Sequence, residues 1–193
     1  AGFQAAEIKK GQRLFHNSGC ASMGFDLPAA IGAHYASRRK VYCVAGDGSV
    51  MMNIQELAIV AGNNLPIVLF VLDNRGYHSI RQTQSNFFPG NSVGCGEESN
   101  LPFPDFESVG NGFGIKSMTI RTNQEVTEKI ADICRNEGPL LIVVKLDLSC
   151  EFSPKVTSKR LEDGSMVTAR LEDMSPFLER DEFDSIMASA LAI

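Results

Sequence analysis

The sequence predicts an α/β fold, a three-layer sandwich with a mostly parallel central sheet flanked by helices. Three observations predict it. Val41–Ala45, Pro66–Leu72 and Leu140–Leu146 are short continuous apolar runs, the pattern of strands buried on both faces of a parallel sheet. Between the first two lies Met51–Gly62, with Met51, Ile54, Leu57, Ala58 and Ala61 at helical spacing, which makes one βαβ unit. Strands then continue to alternate with helix-like segments along the chain.

Taken in order, Leu27–Arg38 has the small, apolar character of a helix packed closely on a sheet, with Pro28 tolerated in its first turn. Ile115–Ile120 reads as a further strand and Asn123–Asn136 as a helix, with a turn at Gly138-Pro139 before the Leu140 strand. Phe87–Asn111, rich in Gly, Pro, Asn and Ser, reads as a long loop of the functional or mobile kind. After Ser153 the character changes. Val156–Leu161 and Met166–Leu171 alternate around Asp163-Gly164 as a hairpin, and Phe177–Leu191 reads as a terminal helix. The expected division is one domain over 1–150 and an extension over 151–193.

The 193 residues hold one well-buried core and a short appendage, and the apolar (44%) and charged (21%) fractions exclude disorder, collagen and coiled coil. A net charge of −5 without a basic stripe argues against nucleic acid, and no run approaches the roughly 20 apolar residues that span a bilayer. Cys20, Cys43, Cys95, Cys134 and Cys150 are scattered without CxxC or metal-ligand spacing, which fits a reduced, cytoplasmic setting. The opening residues lack a signal-peptide pattern and read as a chain cut from something longer. His16 and His34 have no carboxylate or second His at useful spacing and read as structural.

The chemistry gathers where the apolar strands end. One ends in Gly46-Asp47-Gly48-Ser49 and the next in Asp73-Asn74-Arg75-Gly76-Tyr77. In an open α/β sheet both loops fall at the carboxyl edge, where ligands sit. Asp47 and Asn74 are 27 positions apart (74 − 47), the length a helix and a returning strand require. A carboxylate, an amide oxygen and the Gly76 carbonyl are hard donors for Mg²⁺, with Ca²⁺ able to substitute, and leave coordination places for phosphate oxygens. Gly46 and Gly48 let the main chain approach an anion, and the helix starting near Ser49 offers it unpaired N–H groups. Dinucleotide and P-loop fingerprints are absent from the sequence.

The run GDGSVMMNIQELAIVAGNNLPIVLFVLDNRGY resembles the signature of thiamine diphosphate enzymes. The resemblance implies that Asp47, Asn74 and the Gly76 carbonyl ligate Mg²⁺, that Gly48 and Ser49 contact the diphosphate, and that Gly46 and Tyr77 belong to the cofactor-binding set. Upstream, GCASMGFDLPAAIGA resembles the segment beside the cofactor's two rings. By that resemblance Met23 wedges the cofactor into a bent V, Ala21 offers a carbonyl to its 4′-amino group, and Ser22 lies between them. The activating glutamate is expected on a pyrimidine-binding domain of the same or a partner subunit, so no catalytic residue is expected within this chain and the chain alone is expected to be inactive. Glu56, on the helix after the diphosphate loop, reads as a supporting group rather than a substitute for that glutamate.

Ile80-Arg81-Gln82, Phe87-Phe88 and Gly90 resemble the pocket-shaping tract of acetohydroxyacid synthases. Thr83 stands where those enzymes carry an acceptor-selecting tryptophan and Ser79 where they carry Met, which implies a roomier, less selective pocket. Ile80 occupies the place of the catalytic glutamate of pyruvate decarboxylases. His78, beside the cofactor loop, and Ile80 are therefore the candidate substrate-facing residues. The tail PKVTSKRLEDGSMVTARLEDMSPFL resembles that of acetolactate synthase-like enzymes.

The implied activity is that of a lyase or transferase decarboxylating a 2-keto acid and ligating the product to a second carbonyl, in a homodimer or homotetramer. The alternatives are a non-catalytic cofactor-binding or regulatory domain, or another 2-keto acid decarboxylase or lyase of the same family. These residues carry no reading on a flavin (FAD) domain elsewhere. An oxidoreductase subunit is disfavoured because the cysteine pattern of iron–sulfur partners is absent.

Overall fold

A computed structural model describes residues 6–150, 153–160 and 163–190. The chain divides into two compact units, Ala1–Leu148 and Ser149–Ile193.

In the first unit, helix α1 (Asp26–Ser37) leads into strand β1 (Val41–Gly46), a short helix α2 (Asp47–Val50), a 3₁₀ segment (Met51–Glu56), helix α3 (Leu57–Gly62) and strand β2 (Ile67–Asp73). There follow α4 (His78–Phe87), α5 (Phe106–Gly112), β3 (Lys116–Ile120), α6 (Asn123–Arg135) and β4 (Leu140–Lys145). All four strands are parallel, in the order β1-β2-β4-β3. On one face Leu27, Ala30, Leu57, Val60 and Phe106 pack against Cys43, Ala45, Leu69, Val71 and Leu141. On the other, Ile133 of α6 meets Val68, Ile120, Leu140 and Ile142. Helices on both faces of one sheet make the α/β sandwich that the alternation predicts.

Four local features depart from expectation. β1 is an edge strand and is buried on one face only; Tyr42 and Val44, the latter 60% exposed, face solvent, because α6 covers β2, β4 and β3. The Met51–Gly62 helix is broken into a 3₁₀ segment and α3 at Asn53 (φ −136°, ψ 35°), whose side chain donates to the Gly24 carbonyl at 2.7 Å. The Phe87–Asn111 loop contains a 3₁₀ turn (Glu97–Ser99) and the start of α5, where Asp105 caps the Ser108 N–H at 2.7 Å. α4 covers a stretch read only for its resemblance, and its helical character comes with six exposed or half-exposed polar positions rather than an apolar stripe.

The second unit pairs β5 (Ser158–Arg160) with β6 (Met166–Thr168) antiparallel and ends in α7 (Arg180–Ala190). The hairpin is thus shorter than its alternation implies, and Leu161 and Leu191 lie outside the described residues. Asp163 closes the turn by accepting from the Ser165 N–H at 2.9 Å, with Gly164 at φ +83°. Arg180 grips Asp173 through two nitrogens, at 2.8 and 3.0 Å. Among the described residues no helix is long and apolar enough to cross a membrane.

Candidate functional site

Strand register brings the two loops together. β1 and β2 pair with Gly46 opposite Leu72, so Asp47 and the Asp73-Asn74 step leave the sheet side by side. Asp47 is 1% exposed. Its Oδ1 accepts from the Gly48 N–H at 2.7 Å, and its Oδ2 from the N–H groups of Gly76 at 2.9 Å and Asn74 at 3.2 Å. Burial pushes the Asp47 carboxyl above its ordinary range and Asp73 adds to that, while the three N–H donors pull against it. A buried carboxylate whose charge is incompletely compensated attracts a cation.

The Asn74 side chain completes the cluster. Its inward amide atom lies 2.6 Å from the Gly76 carbonyl oxygen and 3.3 Å from Asp47 Oδ1. With nitrogen inward the amide donates to both. With oxygen inward, three oxygens face one another, an arrangement that a cation stabilises. Among the described residues no group of three His, Cys, Asp or Glu side chains gathers to hold a metal, so a cation here would rest on one carboxylate, one amide, one main-chain oxygen and its ligand's phosphates. That donor set fits Mg²⁺.

Around this cluster the loops are held closely. Gly76 adopts φ +131°, and a Cβ there would strike the Cys95 carbonyl. The Tyr77 N–H donates to that carbonyl at 2.8 Å. A Cβ on Gly48 would run into the Tyr77 ring, 2.6 Å from Cδ1, and would lie 3.4 Å from the Met23 methyl, so Gly48, Tyr77 and Met23 converge. Gly46 differs: its φ is −73° and a Cβ there would meet no protein atom, so nothing within the chain demands glycine.

The upstream segment is tied to the same place. The Ser49 hydroxyl accepts from the Gly24 N–H at 2.8 Å and donates to Asp26. Asn53 and Asp26 thus lock the segment carrying Met23 onto the start of α2; sequence reading missed both, although a polar residue interrupting an apolar helical pattern was the available signal. Ala21 sits at φ +50°, and the Ser22 carbonyl accepts from the Asn17 amide at 2.9 Å. Both are exposed, and Met23 is 45% exposed. Ser22, Met23, Gly24, Phe25, Pro28, Ala29 and Asn53 line an open cleft of about 500 Å³.

His78 is buried at the start of α4, its N–H on the Gly76 carbonyl at 3.0 Å, whereas Ser79, Ile80 and Thr83 are exposed on that helix. Burial of His78 places it against the loop; the open face of α4 belongs to Ile80 and Thr83. His16 Nδ1 accepts from Ser18 and His34 Nδ1 meets the Arg39 carbonyl.

A parallel α/β sheet with an acidic, glycine-flanked loop and an asparagine loop at its carboxyl edge defines a class of anionic-cofactor-binding domains. Residues 1–144 match the family described as thiamine pyrophosphate enzyme, C-terminal TPP binding domain, and the chain belongs to that family, in its acetolactate synthase-like branch. It is 32% identical over 154 residues to the acetolactate synthase isozyme 1 large subunit of Escherichia coli, covering 79% of this chain and 27% of that protein. To the isozyme 2 large subunit of the same organism it is 37% identical over 137 residues, covering 70% and 24%. A thiamine diphosphate-dependent 4-hydroxybenzoylformate decarboxylase of Rhodococcus jostii superposes with a TM-score of 0.58 at 29% identity, covering 67% of this chain and 24% of that one. The chain thus spans about a quarter of the length of these relatives.

Proposed function

We propose that this chain is the magnesium- and diphosphate-holding half of an acetolactate synthase-like enzyme, completed by a pyrimidine-binding domain of the same or a partner subunit in a homodimer or homotetramer. The observation that supports it best is the meeting of Asp47, Asn74 and the Gly76 carbonyl, with a separation of 2.6 Å between the Asn74 amide and that carbonyl. In this reading residues 1–150 form the cofactor-binding domain and 151–193 a C-terminal extension of the chain, and the setting is the cytoplasm.

When bound, thiamine diphosphate supplies the carbon nucleophile for decarboxylating a 2-keto acid and joining the product to a second carbonyl. The chain's own residues bind and orient. Asp47, Asn74 and Gly76 hold Mg²⁺, and the main chain at Gly46, Gly48 and Ser49 faces the diphosphate. The open space at Gly46 supports this, since a ligand close to the main chain would explain the glycine. The Ser49 hydroxyl is occupied by Gly24 and Asp26, so its contribution is main-chain. Met23 and Tyr77 flank the cofactor from either side of Gly48, and the Ala21 carbonyl receives its amino group. Ile80 and Thr83 face substrate from the exposed side of α4, and the small Thr83 and Ser79 leave room for varied acceptors. His78, buried beside Gly76, borders the substrate through that loop rather than from the open face of α4.

Calorimetric titration of the chain with thiamine diphosphate, with and without Mg²⁺, tests the binding half of this proposal. The expected result is magnesium-dependent binding and no pyruvate turnover until a pyrimidine domain is supplied. Binding indifferent to Mg²⁺, or robust turnover by the chain alone, would contradict it.

A further inference from the structure

We propose that Arg81 is a positioning residue of the cation loop, locking the Asn74 and Arg75 carbonyls so that the Gly76 oxygen is turned toward Asp47 and the Asn74 amide. The inference rests on the cation-site reading above and deepens it.

The polar groups of the loop can be followed one by one, as buried main-chain groups require partners. The N–H groups of Asn74 and Gly76 go to Asp47, that of Arg75 to Asp73 Oδ1 at 3.1 Å, and that of Tyr77 to the Cys95 carbonyl. Of the carbonyls, Asn74 and Arg75 are both served by one side chain: Arg81 Nη1 donates to the first at 3.2 Å and Nη2 to the second at 2.8 Å. The third nitrogen, Nε, donates to Glu98 Oε1 at 2.7 Å. One planar fork therefore fixes two successive peptide units and is itself fixed by a carboxylate. The Glu98 carboxyl is held below its ordinary range chiefly by this contact. Arg75 sits at φ +57°, a left-handed conformation that is unfavourable for a residue with a side chain, and the Arg81 contact at its carbonyl helps hold it.

A second observation is independent of these hydrogen bonds. Gly96 has extended backbone, φ 170°, so its glycine is not needed for conformation. A Cβ there would lie 2.6 Å from Arg81 Nη2, 2.7 Å from Glu98 Oε2 and 2.8 Å from the Arg75 carbonyl. Glycine at 96 leaves the room in which guanidinium, carboxylate and carbonyl meet. Gly96 also bridges Gly76 across the two loops. Ser99 holds the turn by accepting from the Cys95 and Gly96 N–H groups at 2.8 and 3.1 Å. The Gly76 oxygen accepts the His78 N–H at 3.0 Å and also lies 2.6 Å from the Asn74 amide, so the loop that Arg81 fixes turns this oxygen toward the place where a cation would sit.

The test compares the wild-type chain with Arg81→Met, Arg81→Lys and Gly96→Ala, each checked for folding by circular dichroism. Amide hydrogen exchange is read at residues 74–77, and magnesium is titrated at fixed thiamine diphosphate. Arg81→Met and Gly96→Ala are expected to speed exchange at 74–77 at least tenfold while β2 and β4 keep their protection. The magnesium concentration at half-saturation should rise at least tenfold, with Arg81→Lys recovering part of both effects. Unchanged exchange at 74–77, or a rise spread equally over β2 and β4, overturns the assignment; so does magnesium dependence left at the wild-type value. A wild-type chain whose thiamine diphosphate binding ignores Mg²⁺ sinks the cation-site reading instead, and exchange then still decides whether Arg81 fixes the loop. If Arg81→Met does not fold, Arg81→Lys and Gly96→Ala carry the same comparison.

Discussion

The two ends of the candidate site are built differently. At the Asp47 end the polar groups of two loops are matched by partners from the chain itself, and the carboxylate is 1% exposed. At the Met23 end the segment is anchored from below by Ser49 and Asn53, yet Met23 is 45% exposed above an open cleft. On the proposed function, a site finished at one end and open at the other is what half of a shared site would look like: ion and phosphate would need only this sheet edge, while a wedge against two rings would need a second wall. The contrast predicts that substitutions at the closed end act already in the isolated chain, on binding or on stability, and that those at the open end act only once the second wall is in place.

The largest effect belongs to Asp47→Asn. It keeps the shape and acceptor capacity of one oxygen but removes the charge, and magnesium-dependent thiamine diphosphate binding should fall at least 100-fold with the fold retained. Asp47→Ala should in addition destabilise by about 2–4 kcal/mol, because it strands the N–H groups of Gly48, Asn74 and Gly76. Calorimetry for the first and urea unfolding for the second check these values. Asp47→Asn binding as tightly as wild type would break the distinction between the two ends.

Next in size is Gly48→Ala, whose new methyl would overlap the Tyr77 ring. The expected cost is about 1–3 kcal/mol in unfolding free energy, the range for overpacking. Tyr77→Ala added to Gly48→Ala should recover part of it, since it removes the obstructing ring. A Gly48→Ala chain as stable as wild type would mean that the ring moves freely and that the closed end is looser than its contacts imply.

Acidity offers a smaller test at the same end. Because burial raises the Asp47 carboxyl pKa in the folded chain, the fold holds that proton more tightly than the unfolded chain does. Its contribution to stability is present below the ordinary aspartate value and is lost as pH rises through the raised folded value. Without Mg²⁺, wild type should therefore lose stability relative to Asp47→Asn as pH rises across that window. With Mg²⁺ and thiamine diphosphate the loss should be reversed at neutral pH, because a ligand that binds only the folded chain stabilises it. Denaturant midpoints measured at several pH values for both chains give the comparison, and parallel curves would remove Asp47 as the source.

How far the sequence led depends on which of these layers is considered. β2 and β4, buried on both faces, were legible because a parallel strand covered twice is apolar throughout, and their ends located Asp73-Asn74. β1 looked the same in sequence but is an edge strand, since Tyr42 and Val44 are apolar whether or not a helix covers them. Asp47 and Asn74 could be placed together because spacing and a shared sheet edge constrain them. Arg81, Glu98 and Gly96 were not legible as a unit: their meeting depends on a loop whose turn is made by the Ser99 hydroxyl, and no periodicity encodes that. Asn53 was hidden inside a helical pattern because its partner is a main-chain carbonyl far off in sequence.

The smallest expected effect on stability, and the sharpest test of the contrast, is Met23→Ala. A side chain nearly half exposed, with its methyl near Gly48, gives up little burial on truncation, so unfolding free energy should change by no more than about 0.5 kcal/mol. In an enzyme assembled with a pyrimidine domain, the same change should lower turnover at least tenfold, because a wedge acts only on a cofactor pressed against it from the other side. Urea unfolding of the chain and steady-state turnover of the assembled enzyme separate the two. A large loss of stability would show that Met23 belongs to the core of this unit; unchanged turnover would show that the open cleft is bounded by Met23 without being shaped by it.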